Sequence, residues 1–316
     1  MNHKNLLIIA AILTVSCQDA VPLYKQADAP IEKRVEDLLS RMTLEEKILQ
    51  MNQVTLGTNL NQNNIGGEQV EPVLGSYITY TATDPTEINQ MQKRAMEETR
   101  LGIPVLFGFD AVHGFRTVYP IPLAQSCSWN PELVEKACSI CARESRLSGI
   151  PWTFSPMVDI ARDGRWGRCA EGYGEDPYTA SVFCAASVRG YQGDDLSDST
   201  KIAACIKHYI GYGASEAGRD YVPTEISSQT LWDTYMPPYQ AGIEAGAATV
   251  MSSFNTINGT PASASPYHLT QVLKEQFGWD GMIVSDWDAV KQLVYQGAAA
   301  DHKESAWRAV NAGLDM

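Results

Sequence analysis

From residue 103 onward, short apolar runs alternate with helical stretches, and this alternation is what most limits the folds open to the chain. Ile103-Pro-Val-Leu-Phe107 leads to Asp110. Asn130-Pro131 then opens a helix, with an N-cap and a proline at the first helical position, that closes at Gly149. Trp152-Thr-Phe-Ser-Pro-Met-Val158 is a second run and ends at Asp159; residues 179–190 read as helix. Ile202-Ala-Ala-Cys-Ile206 ends at Lys207-His208, before a helix over 230–246. Residues 248–253 precede a helix over 268–277, and Met282-Ile-Val-Ser285 ends at Asp286 with another helix behind it. Runs without period-two alternation suit strands buried on both faces. Their alternation with helices indicates a parallel sheet, either open and doubly wound or closed as a (β/α)8 barrel. No G-x-G-x-x-G or G-x-x-x-x-G-K-[ST] is present, which disfavours a nicotinamide-dependent oxidoreductase. Barrel chemistry sits at the C-terminal ends of strands. Asp110, Asp159, Lys207, His208 and Asp286 occupy such ends, so five polar groups converge on one rim.

The start of the chain reads as an address. Met1 to Lys4 is positively charged and residues 6–13 are wholly apolar, too short for the roughly 20 residues a bilayer span needs. Ser16-Cys17 at the end of the run resembles a bacterial lipoprotein signal, although Thr14 stands where a leucine-like residue is usual. The expectation is a signal over 1–17 with Cys17 lipidated, a polar tether over 18–30 and a barrel domain over 31–316. The protein would then be periplasmic and membrane-tethered, touching the membrane only through its anchor; plain signal cleavage is the alternative. Within the domain, Ile31, Val35, Leu38, Leu39 and Met42 recur at helical spacing, Thr43-Leu-Glu-Glu46 is a capping box, and 55–69 reads as loop. Asp84-Pro85 leads into a helix through Ile88, Met91 and Ala95.

The net charge of −13 repels phosphate backbones and argues against nucleic-acid binding. Cys138 and Cys141 form a lone C-x-x-C in a helix interior, where two core thiols are a better reading than zinc or a redox pair. No metal-ligand cluster is visible.

Several separated segments resemble glycoside hydrolase family 3, in its β-glucosidase-like members. They are Leu101-Gly-Ile-Pro-Val-Leu-Phe-Gly-Phe-Asp110-Ala-Val-His113-Gly, Gly149-Ile-Pro-Trp-Thr-Phe-Ser-Pro156, Arg162-Asp-Gly-Arg-Trp-Gly-Arg168, Gly174-Glu-Asp-Pro177, Lys207-His208-Tyr-Ile-Gly-Tyr-Gly and Gly281-Met-Ile-Val-Ser-Asp286-Trp287. They occur in the family's order. The resemblance implies an α/β, (β/α)8 TIM-type barrel, C-terminally incomplete, and a retaining, exo-acting β-glucosidase needing no cofactor. Its substrate would be an oligosaccharide or β-glycoside. Asp286 matches the family nucleophile, which attacks the anomeric carbon while a second acid protonates the leaving oxygen. Asp110, Arg168, Lys207 and His208 match hydroxyl-binding groups, Met251 a pocket-lining position, and Trp287 the aromatic wall of the neighbouring subsite. Without the resemblance, Asp286 would read as a helix N-cap and Trp287 as core. Gly174-Glu-Asp-Pro177 reads as a structural loop with helix capping.

Three departures stand out. Gly164 replaces a common proline, and Phe254 stands where many members carry a tyrosine near the nucleophile. The third concerns the general acid. In β-glucosidase-like members it is a glutamate on an α/β domain after the barrel, and residues 213–221 lack the histidine with which a shorter branch replaces it. The chain is therefore expected to be a fragment, poorly active by itself, whose missing domain supplies the acid. A β-xylosidase and a non-catalytic sugar-binding lipoprotein remain as alternatives.

Overall fold

The computed structural model describes residues 21–56, 73–79 and 85–316. Cys17, the expected signal and most of the loop at 55–69 lie outside the described residues. The chain divides into two compact units between Lys47 and Ile48. The first holds helix α1 (Ile31–Arg41) and the opening of α2 (Leu44–Gln50). The capping box forms as read: Thr43 Oγ1 accepts from Glu46 N–H at 3.2 Å, and Glu46 Oε2 accepts from Thr43 N–H at 2.9 Å. Helix α1, assigned from the sequence to a domain beginning at residue 31, falls in the first unit.

The second unit is built on parallel strands β1 (Gln53–Thr55), β2 (Ser76–Ile78), β3 (Leu106–Phe109) and β4 (Trp152–Thr153), paired in that order. A second ladder runs β5 (Cys205–Tyr209), β6 (Thr249–Ser252), then β9 (Met282–Ser285). The hairpin β7 (Thr256–Ile257) and β8 (Thr260–Pro261) is inserted after β6, turning through Asn258 and Gly259, both at positive φ as a tight two-residue hairpin turn requires. Backbone bonds join the two ladders: Thr153 N–H donates to Ala203 O at 2.9 Å, Cys205 N–H to Ser155 O at 3.0 Å, and Lys207 N–H to Pro156 O at 3.1 Å. Past β9, Ser285 N–H donates to Met316 O at 2.7 Å and Met316 N–H to Ile283 O at 3.1 Å, so Met316 lies bonded alongside β9. The result is a TIM-type barrel, with seven parallel strands named among the described residues. No helix among them is long and apolar enough to cross a membrane.

The barrel interior is packed by Ile78, Trp152, Phe154, Cys205, Met251 and Val284. Trp152 Nε1–H donates to Thr249 Oγ1 at 2.9 Å, pinning β4 to β6. Position 108 must be glycine because a Cβ there would strike the Phe154 ring, which fills the space. Phe154→Ala would cost about 3–5 kcal/mol for such a buried ring. Outside the strands lie α3 (Pro85–Glu97), the short α4 (Pro122–Ser126), α5 (Pro131–Leu147) and α6 (Pro177–Gln192). Asn130 Oδ1 caps α5 through Leu133 N–H at 3.1 Å, and Asp176 Oδ2 caps α6 through Thr179 N–H at 2.6 Å. The expected capping role of the Gly174–Pro177 segment is therefore seen, and α6 starts two residues earlier than read. The helix expected over 230–246 comprises α7 (Ser228–Thr230), a wider turn closed by Met236 N–H to Leu231 O, and α8 (Pro237–Glu244). A similarly wide helix, Tyr267–Gln276, precedes β9; α9 (Ala289–Tyr295) and α10 (His302–Asn311) follow it. Cys138 and Cys141 are free and buried, their thiols pushed up to about 11 and about 12 by burial, as suits core packing.

Candidate active site

Parallel strands deliver their last residues to one rim, and a cavity of about 1320 Å³ opens there. Its walls include Asp110, Arg168, Lys207, His208, Met251, Asp286 and Trp287. The structure thus gathers these seven residues into one space. Asp110 directly follows β3, and Asp286 directly follows β9. Lys207 and His208 lie inside β5 rather than beyond it, joined by a cis peptide. Arg168 comes from the long segment between β4 and α6. Met251, in β6, packs in the barrel interior at the floor of the cavity. Trp287 is 58% exposed at the mouth.

Asp286 is the most confined carboxylate facing this space. Its Oδ1 accepts from Trp287 N–H at 2.6 Å. Its Oδ2 is buried and finds no hydrogen-bond partner among the described residues. His208 Nε2 lies 3.3 Å from Oδ2, close but without hydrogen-bond alignment. Burial pushes the carboxyl up to about 6; Lys207, the Trp287 N–H and Arg168 pull it down, and Asp110 pushes it up. Cationic neighbours therefore only partly offset the cost of burying the charge.

Lys207 Nζ donates to Asp110 Oδ1 at 2.6 Å. Lys207 is buried, which alone would lower its pKa, but Asp110 and Asp286 outweigh burial and hold it above the usual lysine value. Arg168 forms two bonds with Glu171, Nε to Oε1 at 2.7 Å and Nη2 to Oε2 at 2.9 Å, and stands 5.7 Å from the Tyr212 ring centre. Tyr212 donates in turn to Asp220, which also accepts from Trp166 Nε1–H at 3.4 Å. Phe254 is buried against Tyr212, Tyr221 and His208, its ring lacking the hydroxyl many family members place there.

Behind His208 stands Asp159, buried and bonded on both oxygens. The sequence placed it at a strand end without a role. Glu171 received no role from the sequence, yet it lines the cavity and holds Arg168. Its spacing of three residues from Arg168 was the available signal. Among the described residues no group of three His, Cys, Asp or Glu side chains is disposed to hold a metal ion.

A parallel barrel with buried carboxylates and fixed cations around one rim cavity defines a class suited to polyhydroxylated ligands. The family profile described as glycosyl hydrolase family 3 N terminal domain matches residues 43–316, and the chain belongs to this family. It is 40% identical to the periplasmic beta-glucosidase of Salmonella typhimurium, over 89% of this chain and 37% of that protein. It is 32% identical to a beta-xylosidase of Formosa agariphila, over 98% of this chain and 39% of that one. The crystal structure of beta-glucosidase from Listeria innocua in complex with glucose superposes with a TM-score of 0.83 at 38% identity, covering 90% of this chain and 41% of that one. The chain thus spans less than half the length of these relatives.

Proposed function

We propose that the chain carries the sugar-binding groups and the nucleophile of a retaining, exo-acting β-glucosidase that removes terminal non-reducing β-D-glucosyl residues from oligosaccharides or glycosides. The observation that carries this reading is the free, buried Oδ2 of Asp286 at the rim, with its partner oxygen held by Trp287 N–H. Oδ2 forms a bond to the anomeric carbon as the glycosidic C–O bond breaks, and water later releases the sugar from the glycosyl–Asp286 intermediate. Asp110, Arg168, Lys207 and His208 hold the hydroxyls through charge-assisted and neutral hydrogen bonds. Met251 forms the floor, and Trp287 offers its face to the sugar beyond the cleaved bond. The general acid is assigned to a second α/β domain, an assignment supported by the greater length of the relatives. Leaving-group protonation by that acid contributes about 10²–10⁴-fold. A periplasmic location, with Cys17 as a lipid anchor, fits the N-terminal sequence and the relative named periplasmic.

A fluorinated glucoside with a dinitrophenolate leaving group tests the nucleophile, because that group departs without proton assistance. The expected result is a stable adduct on the peptide containing Asp286, lost in Asp286→Asn. An adduct on any other carboxylate overturns the assignment. The beta-xylosidase relative supports a second reading, β-xylosidase activity, which faster labelling by the matching xyloside would favour. Glucose binding with no labelling would instead favour a non-catalytic sugar-binding lipoprotein.

A further inference from the structure

Asp159 lies one layer behind the cavity and is as buried as His208, which it holds. Its Oδ2 accepts from His208 N–H at 3.0 Å and is 2.7 Å from His208 Nδ1. Tyr239, from α8, donates its hydroxyl to His208 O at 2.7 Å and lies 3.3 Å from Asp159 Oδ1. The phenol gives its single hydrogen to the nearer His208 O; the backbone N–H and ring Nδ1 both meet Oδ2, and an ionised carboxyl at that oxygen can only accept. The charged side chains that act on it from the loop before α6 are Arg168, which favours the anion, and Glu171, which opposes it. The other face of the imidazole looks into the cavity, with Nε2 3.3 Å from Asp286 Oδ2.

We propose that Asp159 is a positioning residue: it keeps the His208 proton on Nδ1 and so presents Nε2 to the cavity as a hydrogen-bond acceptor for a sugar hydroxyl. A buried carboxylate bonded to one ring nitrogen fixes both the tautomer and the ring plane. Burial, with the charges of Arg168 and Lys207 added, holds the imidazolium well below its usual range, so the ring is neutral and the choice of nitrogen decides what it offers. With Nε2 bare, no N–H is given to Asp286 Oδ2, consistent with the absence of a bond there. The nucleophile oxygen keeps its basicity, and His208 takes a hydrogen from the ligand. Burial pushes Asp159 up to about 7, so the arrangement is complete above that pH.

The acceptor role toward a sugar rests on the glycosidase reading; the tautomer does not, and the test separates them. Protein labelled with nitrogen-15 in its histidines is examined by NMR at pH 8, with His208 identified by its loss in His208→Gln. The expected spectrum has a protonated Nδ1 and an unprotonated Nε2. In Asp159→Ala no acceptor faces Nδ1, so the proton is no longer held there, the ring-nitrogen shifts move toward the Nε2-protonated form and glucose affinity falls about 10-fold, the value of one hydrogen bond. A protonated Nε2 in the wild type, or ring-nitrogen shifts unchanged in Asp159→Ala, overturns the proposal. If Asp159→Ala does not fold, the wild-type spectrum alone decides. Wild-type protein with the expected tautomer and no affinity for glucose would instead discard the sugar reading.

Discussion

Glu171 grips Arg168 with both carboxylate oxygens, at 2.7 Å and 2.9 Å, and both side chains are partly buried in the wall of the cavity. A flexible guanidinium is thereby fixed in one plane, and the ordering is complete before any ligand arrives. Glu171→Ala should free Arg168 and lower glucose affinity about 10-fold by calorimetry, with Glu171→Gln intermediate because it retains one acceptor. Equal affinities in all three proteins would show that Arg168 needs no such support.

Asp110 acts on the site in two ways. Its exposed oxygens are available to a ligand, and its charge pushes Asp286 upward. Asp110→Ala should weaken glucose binding about 10- to 100-fold, the range for a charged hydrogen bond. The same substitution leaves Lys207 facing Asp286 without its partner. The titration of Asp286 should then move to lower pH, and labelling by the fluorinated glucoside should persist to more acidic conditions than in the wild type. Loss of binding without that movement would show that Asp110 does not tune Asp286.

For the unmodified site, Asp286 titrates at about 6, so the carboxylate is present above that pH and depleted below it. The rate of covalent labelling should fall as pH drops through about 6, approaching a tenfold loss for each further unit. A rate that holds level down to pH 4 would place the reacting carboxylate in a more polar setting than the one Asp286 occupies.

The strands that carry Asp110, Lys207 and Asp286 were legible because an apolar run overlaps each, although β3 and β5 begin three residues after their runs do. Strands β1 and β2 were not, since Gln53-Val-Thr and Ser-Tyr-Ile are too short for any period to emerge. Within the run at 152–158 only Trp152 and Thr153 form a named strand; Met157 bridges to Lys207 beyond Pro156, which has no N–H to give to a ladder. Within the site, charged residues at strand ends could be anticipated. The groups that hold them could not: Asp159 reaches His208 across 49 positions, and Tyr239 reaches Asp159 across 80. Such pairings depend on barrel closure, which no local spacing encodes.

Asp286→Asn should make the folded protein more stable at neutral pH, although it removes the proposed nucleophile. The folded-state pKa of about 6 exceeds the ordinary 3.8, so the native state binds this proton more tightly than the unfolded chain does. The associated stability is fully present below pH 4, declines as pH rises from about 4 to 6, and is absent above. Roughly two pKa units correspond to about 3 kcal/mol at pH 7.5, the cost of burying a charge that Lys207 and Arg168 only partly compensate. An asparagine keeps Oδ1 for the Trp287 N–H and carries no charge. Thermal melts of the two proteins should nearly coincide at pH 4 and separate at pH 7.5, with the variant higher. A variant that melts lower at pH 7.5, or by the same margin at both pH values, would mean that the cations already balance Asp286 in the folded state.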